Sequence, residues 1–184
     1  NPGFLYQQNT MRDAVVAALN INIFTRHADR VRMANIAQMI NVLQAMILTN
    51  DHGIVLTPTY HVFQMFTVHQ DATELPLDVK SPEYKFGKEA IPAVTGSASR
   101  DKSGKVHLSL LNLDPHREIT VECAVDGVNA ANVTGSILTS SSMTDHNTFE
   151  APHNVEPKPF SGATAANGKL TVKLPAMSVV VLTL

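Results

Sequence analysis

Ile119-Thr120-Val121-Glu122-Cys123-Ala124-Val125 is the stretch on which the fold turns. Ile119, Val121, Cys123 and Val125 alternate with Thr120, Glu122 and Ala124. A period of two places the apolar set on one face of a strand. Val106, Leu108 and Leu110 repeat the pattern upstream, and Leu170, Val172 and Leu174 repeat it downstream. Turn signals separate the strands: Asp101 to Gly104, Asp114-Pro115, Asp126-Gly127 and Asn167-Gly168. Ser178 to Leu184 is apolar on both faces, which predicts a central strand. Short strands between turns predict an antiparallel β-sandwich over residues 72–184. Ser140 to Gly168 breaks the rhythm with Pro152, Pro157 and Pro159, and predicts a long ordered loop or two irregular crossings.

Upstream of about Asp71 the period changes. Thr10 with Asp13 three residues on reads as a capping box. Met11, Val15 and Leu19, beside Ala14 and Ala18, form one apolar helix face that fades near Asn20 to Phe24. Ala28 to Gln38 reads as a short buried strand. Asp51-His52-Gly53 is a turn, and Pro58 opens a helix running to about His69, with Val62, Phe63 and Phe66 on its apolar face. Helix, strand, connection and helix suit the closing segment of a β/α barrel. A complete barrel takes about 250 residues.

Composition excludes several classes. The 184 residues are 44% hydrophobic and 16% charged, with net charge −2, as in ordinary globular chains. No basic block could track a phosphate backbone, so nucleic acid is excluded as a partner. The longest apolar runs fall short of the roughly 20 residues of a membrane span. No charged segment followed by an apolar one marks a signal peptide. The chain opens on Asn1-Pro2-Gly3, so the compartment stays open. The single cysteine, Cys123, cannot form an internal disulfide, and its place on the apolar side of a strand predicts a buried, inert thiol.

Five stretches carry a resemblance: Asn1 to Asn9, His27-Ala28-Asp29-Arg30-Val31, Asn35-Ile36-Ala37-Gln38-Met39-Ile40-Asn41-Val42, Leu56 to Phe63, and Asp145-His146-Asn147-Thr148-Phe149-Glu150. In this order and spacing the chain resembles the C-terminal part of α-L-arabinofuranosidases of glycoside hydrolase family 51. The resemblance implies a TIM-barrel remnant over residues 1–71, the last β/α units of a (β/α)8 catalytic barrel. It implies a jelly-roll-type sandwich over residues 72–184. It also implies a retaining exo-acting glycosidase that removes terminal α-L-arabinofuranosyl groups from polysaccharides and oligosaccharides, with no cofactor.

Retention uses two carboxyls about 5–5.5 Å apart. The family's acid/base glutamate follows an asparagine and precedes a proline, and its nucleophile lies just before the stretch that opens this chain. Neither motif is present. Val155-Glu156-Pro157 is a decoy, with valine in the asparagine position. No catalytic residue is therefore assigned, and the chain is expected to be inactive alone.

What remains is binding. The family's Ala-Gln pair at the end of the eighth strand matches Ala37-Gln38. The resemblance implies that the Gln38 amide, donor and acceptor at once, holds an arabinofuranose hydroxyl. Spacing alone would make Gln38 an ordinary satisfied polar residue. Asn35 and Asn41 flank it and are read as bonding the residues behind the sugar contact or capping backbone groups. Phe4, Leu5 and Tyr6 border the cleft in the resemblance, with core packing as the bland alternative. His61 and His69 stand eight apart rather than four, and no His or Cys pair has zinc spacing, so no metal is expected. His27 beside Asp29 reads as structural. Homo-oligomerisation is implied by the resemblance only.

Two other classes compete. A carbohydrate-binding sandwich would present aromatic platforms, but tryptophan is absent and aromatics are 5% of the chain. A purely structural or oligomerisation domain would leave Gln38 dispensable.

Overall fold

The computed structural model describes residues 9–36, 39–124, 133–166 and 168–184. Phe4, Leu5, Tyr6, Gln38 and the Asp126-Gly127 turn lie outside the described residues. Helix α1, Met11–Thr25, starts at the anticipated cap: the Thr10 N–H and hydroxyl both donate to Asp13 Oδ2 at 2.8 Å. Its buried residues Met11, Ala14, Val15 and Ala18 follow the helical period. Strands β1, Ile47–Asn50, and β2, Gly53–Leu56, form a hairpin around Asp51-His52. Helix α2, Pro58–Met65, has proline in its first turn, and Thr57 Oγ1 accepts from the Tyr60 N–H. A tighter 3-10 turn, Phe66–His69, completes the helical path that the apolar spacing predicted.

Over its described part, residues 28–36, the strand predicted for Ala28 to Gln38 is not present. Residues 27–30 form a turn, and residues 31–36 are irregular, with Met33 76% exposed. The reason is pairing. A barrel strand takes hydrogen bonds from a neighbour on each side, and among the described residues no strand runs beside this stretch.

The rest is β structure. Thr73–Leu75 (β3), Val94–Arg100 (β6), Val106–Asn112 (β7), Thr134–Leu138 (β9), Lys158–Pro159 (β10) and Ser178–Thr183 (β13) make one antiparallel sheet. Its order is β10-β9-β13-β7-β6-β3. Ile119–Ala124 (β8), Ala163–Ala166 (β11) and Lys169–Leu174 (β12) make a second sheet, ordered β11-β12-β8. Glu83–Phe86 (β4) and Glu89–Pro92 (β5) form a separate hairpin. The Ser140 to Gly168 stretch is a loop through residue 157, followed by β10 and β11.

The six-stranded sheet buries both faces. Leu108, Leu110, Val180 and Leu182 meet Ile119, Val121, Leu170, Val172 and Leu174 of the second sheet. Leu111, Leu138, Val179 and Val181 meet Met11, Val15, Val62, Met65 and Phe66 of the helices. Each such side chain taken out of water contributes about 1.5–3 kcal/mol before chain entropy is counted. This double burial explains why β13 is apolar on both sides: it sits between β9 and β7. Cys123 is half-buried at the margin of the inter-sheet core, less enclosed than its alternation predicted. It lies near the end of β8, where the opposing sheet no longer covers it fully. Burial still pushes its thiol pKa up, which keeps it unreactive. Among the described residues no helix is long and apolar enough to cross a membrane.

Candidate functional site

Residues 39–49 fold into a compact loop leading into β1. Met39 O accepts from the N–H groups of Met46 and Ile47, each at 3.0 Å, and Asn41 N–H donates to Ile47 O at 3.1 Å. Asn41 has a positive φ of 55° and grips Thr49 from the side. Its Nδ2 donates to Thr49 Oγ1 at 2.9 Å and Thr49 O at 3.1 Å, while its Oδ1 accepts the Thr49 N–H at 2.8 Å. Every polar atom of the Asn41 side chain is thus engaged within its own loop. Asparagine tolerates the left-handed backbone and bonds locally, which suits it to this corner. Asn35 is exposed on the irregular stretch before Gln38.

A second contact joins this loop to α1. Gln44 Nε2 donates to Asp13 Oδ1 at 3.0 Å, so the cap carboxylate serves both the helix start and a residue 31 positions away. Burial pushes the Asp13 carboxyl up, but the bonds from Thr10 and Gln44 outweigh it and hold the pKa below the usual value. The sequence spacing revealed the cap and not this second arm.

The loop after β9 braces the same corner. Met11 N–H donates to Asp145 O at 2.8 Å and Arg12 N–H to Met143 O at 2.9 Å, so two of the free N–H groups of the helix start are met by the loop. Asn147, 4% exposed, donates to Leu56 O at 2.8 Å and Val155 O at 2.9 Å and accepts the Val155 N–H at 2.7 Å. Glu156, the decoy, pairs with His153 at 3.0 Å on the surface. Among the described residues no three His, Cys, Asp or Glu side chains are grouped to hold a metal ion.

A polar row lies where the helices meet the sheet. Ser97 pairs with Ser109 in register, and Ser99 pairs with His107. The Ser97 hydroxyl donates to Asn22 Oδ1 at 2.7 Å. His69 Nδ1 bonds Ser99 Oγ at 2.7 Å, and its Nε2 bonds Ser109 Oγ. Burial, with a smaller push from His107, drives the His69 pKa down to about 4. Its ring is therefore neutral at neutral pH, one nitrogen donating and the other accepting. His107 Nε2 meets Asp101 Oδ2 at 3.1 Å, and its Nδ1 meets Thr183 Oγ1 at 2.9 Å. His61, read beside His69 as helical, is 8% exposed on α2 and its pKa is lowered by burial. An open groove of about 740 Å³ runs between the helices and residues 31–34, past Phe24, Met33, Phe63, Phe66 and His69. Asp71 and Glu74 are the carboxylates among its lining residues.

Comparison with known proteins places this architecture. The family model for the α-L-arabinofuranosidase C-terminal domain matches residues 1–178. The chain is 47% identical over 183 residues to an intracellular exo-α-L-arabinofuranosidase of Bacteroides ovatus, covering 99% of this chain and 36% of that protein. It is 28% identical to an intracellular exo-α-(1→5)-L-arabinofuranosidase of Bifidobacterium longum, over 97% of this chain and 33% of that protein. The crystal structure of the family 51 arabinofuranosidase of Xanthomonas axonopodis pv. citri superposes with a TM-score of 0.95 at 51% identity, over 100% of this chain and 37% of that one. The chain therefore spans about a third of the relatives it matches. By these matches it belongs to the C-terminal-domain family of the α-L-arabinofuranosidases of glycoside hydrolase family 51.

Proposed function

We propose that this chain is the C-terminal part of a retaining exo-α-L-arabinofuranosidase and supplies the Gln38 amide to the sugar-binding subsite. In this reading residues 1–71 close a catalytic barrel, and residues 72–184 are the sandwich that braces it. Both catalytic glutamates come from polypeptide upstream, so the chain alone does not turn over. The substrate is a terminal α-L-arabinofuranosyl group on a polysaccharide or oligosaccharide. Self-association of the whole enzyme is part of the proposal.

The carrying observation is 47% identity across nearly the whole chain to an exo-acting relative. Exposure supports it. Met33, Met39, Ile40 and Ile54 are between 49% and 76% exposed, and all lie in residues 31–54. A cluster of open apolar side chains marks a surface that something else covers, and the missing barrel units would cover this one. The irregular backbone of residues 31–36 would become a strand once neighbours stand beside it.

The test is arabinose release from an aryl α-L-arabinofuranoside by this chain and by the same chain joined to its upstream polypeptide. Turnover by the longer protein alone is expected. Turnover by this chain alone would overturn the placement of the catalytic groups. In the longer protein Gln38→Ala should lower kcat/KM about 10²-fold, on the order of 3 kcal/mol; an unchanged value would favour a purely structural domain.

A further inference from the structure

We propose that the β4–β5 hairpin is a self-association arm, which pairs along β4 with the same hairpin of a second copy of this chain. The inference rests on the self-association in the proposed function and names its surface.

β4 and β5 form a two-stranded sheet of their own, and among the described residues no third strand joins it. Such a hairpin is marginal in water unless something packs on it. This one is anchored at its base. Ala93 N–H donates to Pro82 O at 2.8 Å, Val94 N–H donates to Ser81 Oγ at 2.7 Å, and Tyr84 packs on the inter-sheet core. The tip stands clear. Gly87 turns the chain with φ of 60°, and a Cβ there would meet nothing within 4 Å. Phe86 is 78% exposed and Ile91 44%. Tyr84 pairs with Ile91, and Phe86 is two residues on from Tyr84, so the three share one face of the hairpin.

This face is separate from the apolar cluster of residues 31–54. Met33 shares a groove with Phe24, Phe63 and Phe66 on the helix side of the six-stranded sheet. Tyr84 packs on the other side of that sheet. A different partner therefore covers the hairpin, and its charges name a second copy. Bonded and non-bonded positions alternate along an antiparallel pair. Pro82 and Ala93 hold a bonded position, so the backbone groups of Glu83 and Lys85 point outward, and Pro92, opposite Glu83, has no N–H to give. Two β4 strands set antiparallel about Tyr84 bring Glu83 of each copy opposite Lys85 of the other, where these outward groups meet. Glu83 and Lys85 already pair within the chain at 3.0 Å, with both side chains exposed. The two-fold pairing gives each carboxylate a second ammonium group and lays Phe86 beside Tyr84 of the other copy. Arg117 Nη2 donates to Glu83 O at 3.2 Å, and a carbonyl oxygen keeps a second lone pair for a strand. Moving the axis to Glu83 or to Lys85 sets like charges opposite each other, so one register is selected.

The test is sedimentation equilibrium of the complete enzyme, this chain with its upstream polypeptide. Lys85→Glu gathers four carboxylates at the junction, and Glu83→Lys gathers four ammonium groups. Each should weaken association at least about tenfold. Melting temperature should hold, because an exposed pair contributes little within one chain. Mixed one to one, the two variants should associate as wild type does, since each then meets opposite charges at both positions. Phe86→Ser should also weaken association with no fall in melting temperature, because its ring is exposed in the single copy. Single variants that assemble as wild type overturn the hairpin proposal and leave self-association through another surface standing. A mixture no tighter than its two parts overturns the proposal as well. A complete enzyme that stays monomeric at every concentration overturns the proposal and the self-association together, and arabinose release by that monomer keeps the enzymatic reading apart from both.

Discussion

His69 sits under the helices with both ring nitrogens bonded to serine hydroxyls of the sheet, and its pKa is driven down to about 4. In the unfolded chain it would titrate near 6.5. The folded state therefore refuses a proton that the unfolded state accepts, so stability is whole above pH 6.5 and is lost as pH falls towards 4. The difference in pKa corresponds to about 3 kcal/mol in all, of which about 2 kcal/mol is gone by pH 5. The carboxylates held low by their hydrogen bonds, Asp13, Asp101, Asp114 and Asp145, have ordinary values of 3.8 and lose their contributions mainly below that window. His61, also lowered by burial, contributes in the same direction and is common to both proteins compared. Urea unfolding of wild type and His69→Gln at pH 8 and pH 5 isolates the effect. At pH 8 the variant should be less stable by about 1–2 kcal/mol, for its lost hydrogen bonds. At pH 5 that gap should close or reverse, because only wild type has a ring at position 69 to protonate. A gap that stays constant with pH, or an NMR titration of the His69 ring near 6.5, would refute the reasoning.

Two further perturbations probe the sandwich. Asn112 is fully buried, and its amide donates to Arg117 O, Leu174 O and Pro175 O while its carbonyl accepts the Asp114 N–H. Asn112→Ala should destabilise by about 3 kcal/mol, since it strands several backbone groups at once; chemical denaturation showing a loss under about 1 kcal/mol would contradict this. At Gly96 a Cβ would stand 2.6 Å from Ser109 O in the neighbouring strand, a backbone atom with little room to retreat. Gly96→Ala should therefore push β6 from β7 and cost about 1–3 kcal/mol, visible as a lower melting temperature.

The sandwich was legible because its strands obey a local rule. Ile119 to Ala124 and Lys169 to Leu174 carry their burial in the alternation itself, Ser178 to Thr183 carries its burial in an unbroken apolar run, and the turns between the strands are marked by Gly, Asp and Pro. The starts of both helices were legible from Thr10, Asp13 and Pro58 for the same reason: a cap is a contact between near neighbours. Residues 31–36 are irregular where the sequence pattern predicts a strand, because a strand owes its form to neighbouring strands that its own pattern does not supply. The polar row beneath the helices was missed. Ser97 and Ser99 at period two look like a solvent face, and the partners of this row, Asn22 and His69, come from 30 or more residues away. The Gln44 bond to Asp13 was hidden by the same kind of separation. Gln38 was indicated by resemblance, since a glutamine after an apolar stretch carries no chemistry that spacing can reveal.

The place of β13 in the six-stranded sheet has a consequence for biosynthesis. This strand is synthesised after every other member of the sheet and yet sits in its middle, bonded to β7 on one side and β9 on the other. Until Ser178 to Thr183 have left the ribosome, β7 and β9 have no bridge between them. The apolar faces of both then wait in the open, in the state most prone to edge-to-edge association. Completion of this sheet therefore waits for the last of its strands to be made. A premature stop a few codons before Ser178 would remove the keystone of the sheet rather than trim its rim.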